Sequence, residues 1–372
     1  MSKVEPELSL TWDQVLAWRM SRQLLDAPLA DPVEVTSALA GVQTQVASSA
    51  VQVVAIRSTS LPDIDRLLWQ EKSLVKTWAM RGTLHLLPVE ELEIWFGFLR
   101  RRPWKITPAW ERYHGIFGRQ LEIITEAIAQ IVSAEPMTRE ELTEAVVAKT
   151  KDPALGEALR SGWGQLLKPA ANRGLLAQGP PRGRNVTFVD PTAWLGMTID
   201  VVEADAATSW ALARFLDSSG PANLTDFSRW LGVDPKTARE LMAPHLDALV
   251  PVETQGHVGW LTRDGAEAAA KADAARGVYL LPGFDPYTLA PLSHRDHTIP
   301  EGKVDQVSRA AGWIAPVILE NGRIVGTWET LDGTIALQPF GKISKATVSA
   351  LCNHAKSRYH GLLGKAVVVT VP

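Results

Sequence analysis

The chain has 372 residues, 46% of them hydrophobic and 21% charged, which describes an ordinary globular protein with core enough for roughly two to four domains. No apolar run approaches the roughly 18 residues of a membrane span, and Met1-Ser-Lys-Val-Glu-Pro-Glu lacks the basic-then-apolar pattern of a secretory signal. The net charge of −3 argues weakly against nucleic acid as a partner, but binding needs a local basic face rather than a basic protein.

Taken in chain order, the pattern predicts a helix over 11–24 and a second over 32–40. Asp31 reads as the N-cap of the second, Pro32 as its first residue, and Glu34 as the partner in a capping box. Gly41 stops it, and Ser48-Ser49 can start the next helix, over 48–57. Between them lies Gly41-Val-Gln-Thr-Gln-Val46. On a helix, residues two apart do not share a face; on an extended segment they do. If 41–47 is a connector, Gln43 and Gln45 can aim at one point, and two amides can hold a water or read a polar ligand without charge. The plainer alternative is a pair of solvated loop residues.

A short helix over 63–70 leads to a hairpin of 74–80 and 83–87 turning at Arg81-Gly82. A second round has helices over 120–132, 138–149 and 155–173, with Thr138-Arg-Glu-Glu141 as a capping box. Strands 175–178 and 186–189 then flank the tip 179–185. A third round has helices over 204–216, 224–231 and 235–245, the last capped by Asp234. Strands 250–254 and 258–262 follow it. Helices followed by a two-stranded wing are the winged form of helix-turn-helix architecture, with a generic α+β protein as the alternative. Beyond about Arg276 short strands dominate, at 278–281, 316–319, 323–328 and 334–339. Asn321-Gly322 is a strong hairpin turn, and a helix over 345–359 precedes a strand at 365–371.

Cys352, the single cysteine, excludes an intrachain disulfide and a cysteine-based zinc cluster, and fits the cytoplasm. The eight histidines show no metal spacing; the closest pair, His294 and His297, sits in a polar segment, so no metal is expected. The densest basic stretch is Arg100-Arg-Arg-Pro-Trp-Lys105.

Four segments carry a resemblance to a known family: Gln43-Thr-Gln45, Thr77-Trp-Ala-Met-Arg-Gly-Thr-Leu-His85, Leu280-Leu-Pro-Gly-Phe-Asp-Pro-Tyr287 and Gly322-Arg-Ile-Val-Gly-Thr-Trp328. From about residue 10 to its end the chain resembles the winged-helix DNA glycosylases of the AlkZ type. The resemblance implies an α+β fold of three tandem winged-helix units and a C-terminal β-rich domain, a C-shaped scaffold around a concave DNA-binding face. The corresponding spans here are 1–103, 104–200, 201–275 and 276–372. It also implies that Gln43 and Gln45 are the catalytic pair, the family signature being glutamine, an apolar residue, glutamine. Thr44 is more polar than that pattern.

Glutamine does not ionise in the useful range and cannot be a general base. An alkyl group on N7 of guanine, however, makes the base a cationic, activated leaving group. The enzyme then needs mainly to position water and fit an oxocarbenium-like sugar, which two fixed amide oxygens can do. The expectation is a monofunctional, cofactor-free glycosylase of cationic N7- or N3-alkylpurines in double-stranded DNA, with crosslink unhooking and self-resistance to an alkylating natural product within its scope. No obligate protein partner is inferred. Arg81, His85, Arg182, Arg184 and Arg323 are candidate DNA contacts, each weighed against a structural or solvated role. Asp285 reads as a cap or a DNA-face residue, and Trp163, Trp230 and Trp260 as core. The alternatives are a non-catalytic winged-helix DNA-binding protein or transcription regulator, and a scaffold that has lost catalysis.

Overall fold

The computed structural model describes residues 5–104, 106–160, 164–289, 291–331, 334–363 and 368–370. The chain forms two compact units, one of residues 1–62, 212–230 and 234–372, the other of residues 63–211 and 231–233. The fold is α+β, and the compact units cut the chain differently from the four expected spans, the first and third of which contribute to both.

In the first unit, helix Trp12–Arg22 begins at Thr11, whose hydroxyl accepts from the Gln14 N–H while the Gln14 side chain returns the bond. Asp31 caps helix Pro32–Ala38 through the Val33 N–H at 2.8 Å; the reciprocal boxes sit at Thr11 and Thr138 rather than at Glu34. Ala40 and Gly41, at φ 56° and 85°, end that helix, the Gly41 N–H reaching back to the Thr36 carbonyl at 3.0 Å.

Leu8–Leu10, a strand too short to show in the pattern, runs parallel to Val250–Thr254, which pairs antiparallel with His257–Leu261. A five-stranded sheet follows in the order Val278–Leu281, Val317–Glu320, Arg323–Leu331, Thr334–Pro339, Val368–Thr370, antiparallel up to its parallel last pair. Its hairpin at Asn321-Gly322 has φ 49° and 78°, the two positive values a tight primed turn needs. A Cβ at Gly322 would also lie 2.8 Å from that of Leu16, so the tip needs glycine for packing as well. Leu16, Met20 and Ile56 share one core with Leu280, Leu319, Trp328 and Tyr359, which fixes the N-terminal helices onto this sheet.

In the second unit the strands run Leu84–Pro88, Leu74–Trp78, Ala177–Arg182, Asn185–Val189, Met137–Thr138, all antiparallel. Trp78 and Phe188 stack at 6.0 Å in a core completed by Ile124, Ile128, Leu142 and Leu167. The helix expected over 155–173 is divided into Pro153–Arg160 and Lys168–Asn172. Gly164 has φ 74°, and Pro169 has no N–H to give a preceding turn, so it is accommodated only where a new helix begins. Trp163 and Lys105 lie outside the described residues.

Candidate functional site

The segment after Gly41 is a non-helical connector: Val42–Gln43 is strand, and the chain bends at Gln45 and Val46 before the next helix, Val46 having φ −110°, ψ 103°. Burial alternates along it. Val42 and Thr44 are buried, Gln43 is half-buried and Gln45 is exposed. Both glutamines are thus more accessible than the Val42 and Thr44 that flank and separate them. This also accounts for the unusual middle residue, since Thr44 is buried and leaves the accessible positions unchanged.

Helix Ala47–Ala55 starts directly after the pair and is anchored at its far end by a charge the sequence reading passed over. The fully buried Arg57 guanidinium donates bidentately to the fully buried Asp285 carboxylate, both bonds 2.8 Å. It also donates to the Gln23 carbonyl at 2.7 Å and the Val53 carbonyl at 3.1 Å. Asp285 accepts the Tyr287 N–H at 2.9 Å as well, so it is a cap and not a DNA-face residue. The available signal for Arg57 was an arginine closing the apolar run Val53-Val-Ala-Ile56.

Two of the resembling segments thus build the support. Tyr287 donates its hydroxyl to the Gly322 carbonyl at 2.8 Å, and Trp328 its indole N–H to Leu281 at 2.8 Å. Arg19 lies over the Tyr287 ring at 4.3 Å and donates to its carbonyl at 3.0 Å. Burial, opposed by the charges of Arg19 and Arg323 and aided least by that of Asp285, leaves the Tyr287 phenol raised to about 12.

The expected DNA contacts divide. His85 does not fit one: its ring is buried, with Nδ1 2.9 Å from the Thr83 carbonyl, and burial followed by the Arg81 charge lowers its pKa to about 3. A neutral, enclosed imidazole offers nothing to a phosphate. Arg81 is half-buried at a left-handed φ of 56°, and burial lowers its pKa to about 10. A Cβ at Gly232 would come 2.7 Å from the Arg81 Cα, so this turn is tightly enclosed. Arg182 pairs with Glu141, while Arg184 is exposed and borders a surface pocket of about 470 Å³ with Arg139, Glu140 and Arg160. Arg323 pairs with Asp13 at 2.9 Å. In the densest basic stretch, Arg101 is tied to Asp205, and Arg102 lies over Trp104 at 5.2 Å. Trp230 stacks on Phe215 at 4.8 Å and Trp260 is buried, both packing residues.

Among the described residues, no group of three or more His, Cys, Asp or Glu side chains could hold a metal ion. His294 is buried with Nε2 2.7 Å from the Pro221 carbonyl, and His297 stacks on Trp12 at 4.0 Å.

These buried histidines carry a pH prediction. Burial, joined by a neighbouring arginine in each case, lowers His85 to about 3, His354 to about 4 and His294 well below 6.5. The unfolded chain therefore takes up protons below about pH 6.5 that the folded chain refuses. Stability is fully present above that value and is lost as pH falls toward the folded pKa values. Denaturant unfolding at pH 4.5 should show a loss on the order of 2 kcal/mol from each of His85 and His354 relative to pH 7.5, with His294 adding in the same direction. A stability flat across that range would overturn it.

Comparison with known proteins completes the site's context. The family model described as DNA glycosylase AlkZ-like matches residues 36–358. The chain is 37% identical over 353 residues to the interstrand DNA cross-link repair glycosylase of Streptomyces sahachiroi, covering 92% of this chain and 94% of that protein. The solved structure of Streptomyces sahachiroi DNA glycosylase AlkZ superposes with a TM-score of 0.90 at 34% identity, covering 98% of this chain and 100% of that one. The accessible glutamine pair ahead of helix Ala47–Ala55, with Arg57 clamped to Asp285 beyond the helix's far end, is thus found in a chain that belongs to the AlkZ-like DNA glycosylase family.

Proposed function

We propose that this protein is a monofunctional DNA glycosylase that hydrolyses the N-glycosidic bond of cationic N7- and N3-alkylpurines in double-stranded DNA. The observation that supports the reading is the alternation of burial at Val42, Gln43, Thr44 and Gln45, from which we infer one outward face for both amides. On that face their carbonyl oxygens can orient a water and interact favourably with positive charge developing on the sugar. Neither can remove a proton at neutral pH, so the leaving group must already be activated.

The name of the Streptomyces relative, an interstrand cross-link repair glycosylase, supports crosslinks as a further substrate, in repair or in self-resistance to an alkylating natural product. Four consecutive parts, at 1–103, 104–200, 201–275 and 276–372, with the first three as winged-helix units, belong to the same reading, as do action in the cytoplasm and DNA contacts from Arg81, Arg182, Arg184 and Arg323. The Arg182 and Arg323 ion pairs are exposed, and a phosphate can compete for them at little cost.

The test is base release from duplexes carrying one lesion each. N7-methylguanine should leave at least about a hundredfold faster than uracil, because only the first departs as a neutral base from a cationic nucleoside. Comparable rates on the two lesions would sink the mechanism. Salt-dependent DNA binding with no release of either would favour the regulator reading instead.

A further inference from the structure

We propose that Trp313 and Phe284 form an open aromatic platform that takes the cationic purine base of the lesion by stacking, beside the helix that follows the glutamine pair. This rests on the glycosylase reading and assigns the base subsite within it.

Trp313 is 45% exposed, and it is the one tryptophan among the large apolar side chains left in solvent by the described residues. An indole costs more to expose than almost any other side chain, so its position needs a reason. It sits edge-on to Phe284, ring centres 5.1 Å apart and planes at 82°, and Phe284 is itself only partly buried. Both rings are presented by backbone in an uncommon conformation. Phe284 has φ 59° and Ala311 has φ 56°, values that bulky or ordinary L-residues rarely adopt, and Gly312 at φ 75° turns the chain immediately before Trp313.

The two loops meet each other, and the first of them meets the start of helix Ala47–Ala55. A Cβ on Gly283 would lie 3.0 Å from the Ile314 carbonyl oxygen and 3.7 Å from the Ser49 hydroxyl. Gly283 and Ile314 are the chain neighbours of Phe284 and Trp313, and Ser49 lies in the first turn of the helix that begins two residues after Gln45. Asp285, the next residue after Phe284, is locked to Arg57 beyond the far end of that helix. The loop that carries Phe284 therefore adjoins both ends of the helix that follows the glutamine segment, within the first unit.

The chemistry selects the occupant. An indole face attracts a cation, most strongly where water is partly excluded. A purine alkylated at N7 is flat and positively charged, so it gains both stacking and this attraction, whereas an unmodified purine gains only the stacking. A one-sided surface also leaves space for a bulky substituent on N7, which an enclosed pocket would reject.

The experiment uses the full-length protein and two duplexes that are not cleaved during the measurement. One carries N7-methylguanine on a 2′-fluorinated sugar, which slows departure of the base. The other carries 7-methyl-7-deazaguanine, which has the same shape without the charge. Wild type should bind the cationic duplex about tenfold more tightly than the neutral one. Trp313→Ala should bring the ratio to within about twofold, Phe284→Ala should reduce it in part, and Trp313→Phe should keep more of it than Trp313→Ala. Trp313 is exposed, so its variants should unfold at the wild-type temperature, which a thermal scan checks. A ratio unchanged in Trp313→Ala, or the absence of any preference in wild type, would overturn the platform. Release of N7-methylguanine by wild type in those cases would leave the glycosylase reading standing. A preference lost in Trp313→Ala in a protein that releases no base would support the platform and count against the enzyme.

Discussion

Replacing either Gln43 or Gln45 with alanine is expected to lower single-turnover release of N7-methylguanine by about 10²–10³-fold, the usual effect of removing one preorganised polar group from a transition state. The expectation is specific because the surroundings should be spared. Gln45 is exposed, and substitutions at such positions usually change stability by no more than about 0.5 kcal/mol. Gln43 is half-buried, while the inward positions Val42 and Thr44 remain intact and keep the segment seated. Binding to undamaged duplex, which is governed by phosphate contacts, should persist in both variants. Because the two amides are proposed to hold one water, the double variant should be little worse than either single one. Full activity in both single variants would keep the enzyme and move its site elsewhere.

Much of the architecture was legible because it rests on local signals. Asp31, Thr138 and Asp234 each cap the helix that follows them, and Asn321-Gly322 closes the hairpin its residue types favour. The break between helices at the glutamine segment was legible for the same reason, through Gly41 behind it and a new helix ahead. What escaped was non-local. Leu8–Leu10 is a strand only because Val250–Thr254, some 240 residues later, pairs with it. The run 155–173 is rich in helix-favouring Leu, Ala, Gln and Lys, yet it is divided where Gly164 and Pro169 fall. His85 belongs to a motif that points to DNA, but burial is set by tertiary packing and makes its ring neutral. Arg57 and Asp285 are separated by 228 positions, and nothing in either neighbourhood announces that each neutralises the other.

That pair provides the second large effect. Asp285→Asn should destabilise the protein by about 3–5 kcal/mol, because it leaves the Arg57 guanidinium charged, fully buried and without its counter-charge. In a protein of this size the loss corresponds to a fall in Tm on the order of 10 °C. Arg57→Met should cost a similar amount, since it strands the Asp285 carboxylate and also deprives the Gln23 and Val53 carbonyls of their donor. The double variant Arg57→Met, Asp285→Leu removes both charges together, so it should be more stable than either single variant. It should remain below wild type because those carbonyls are still unpaired. Its activity then separates two roles of the pair. If the clamp only contributes stability, the double variant assayed well below its Tm should release N7-methylguanine at the wild-type rate. If the clamp sets the position of helix Ala47–Ala55, release should stay depressed by roughly tenfold or more in the folded double variant, since small displacements of a positioned group are costly. The geometry favours the second outcome: Arg57 holds one end of the helix whose other end begins two residues beyond Gln45, and a helix transmits a shift at one end to the other with little loss.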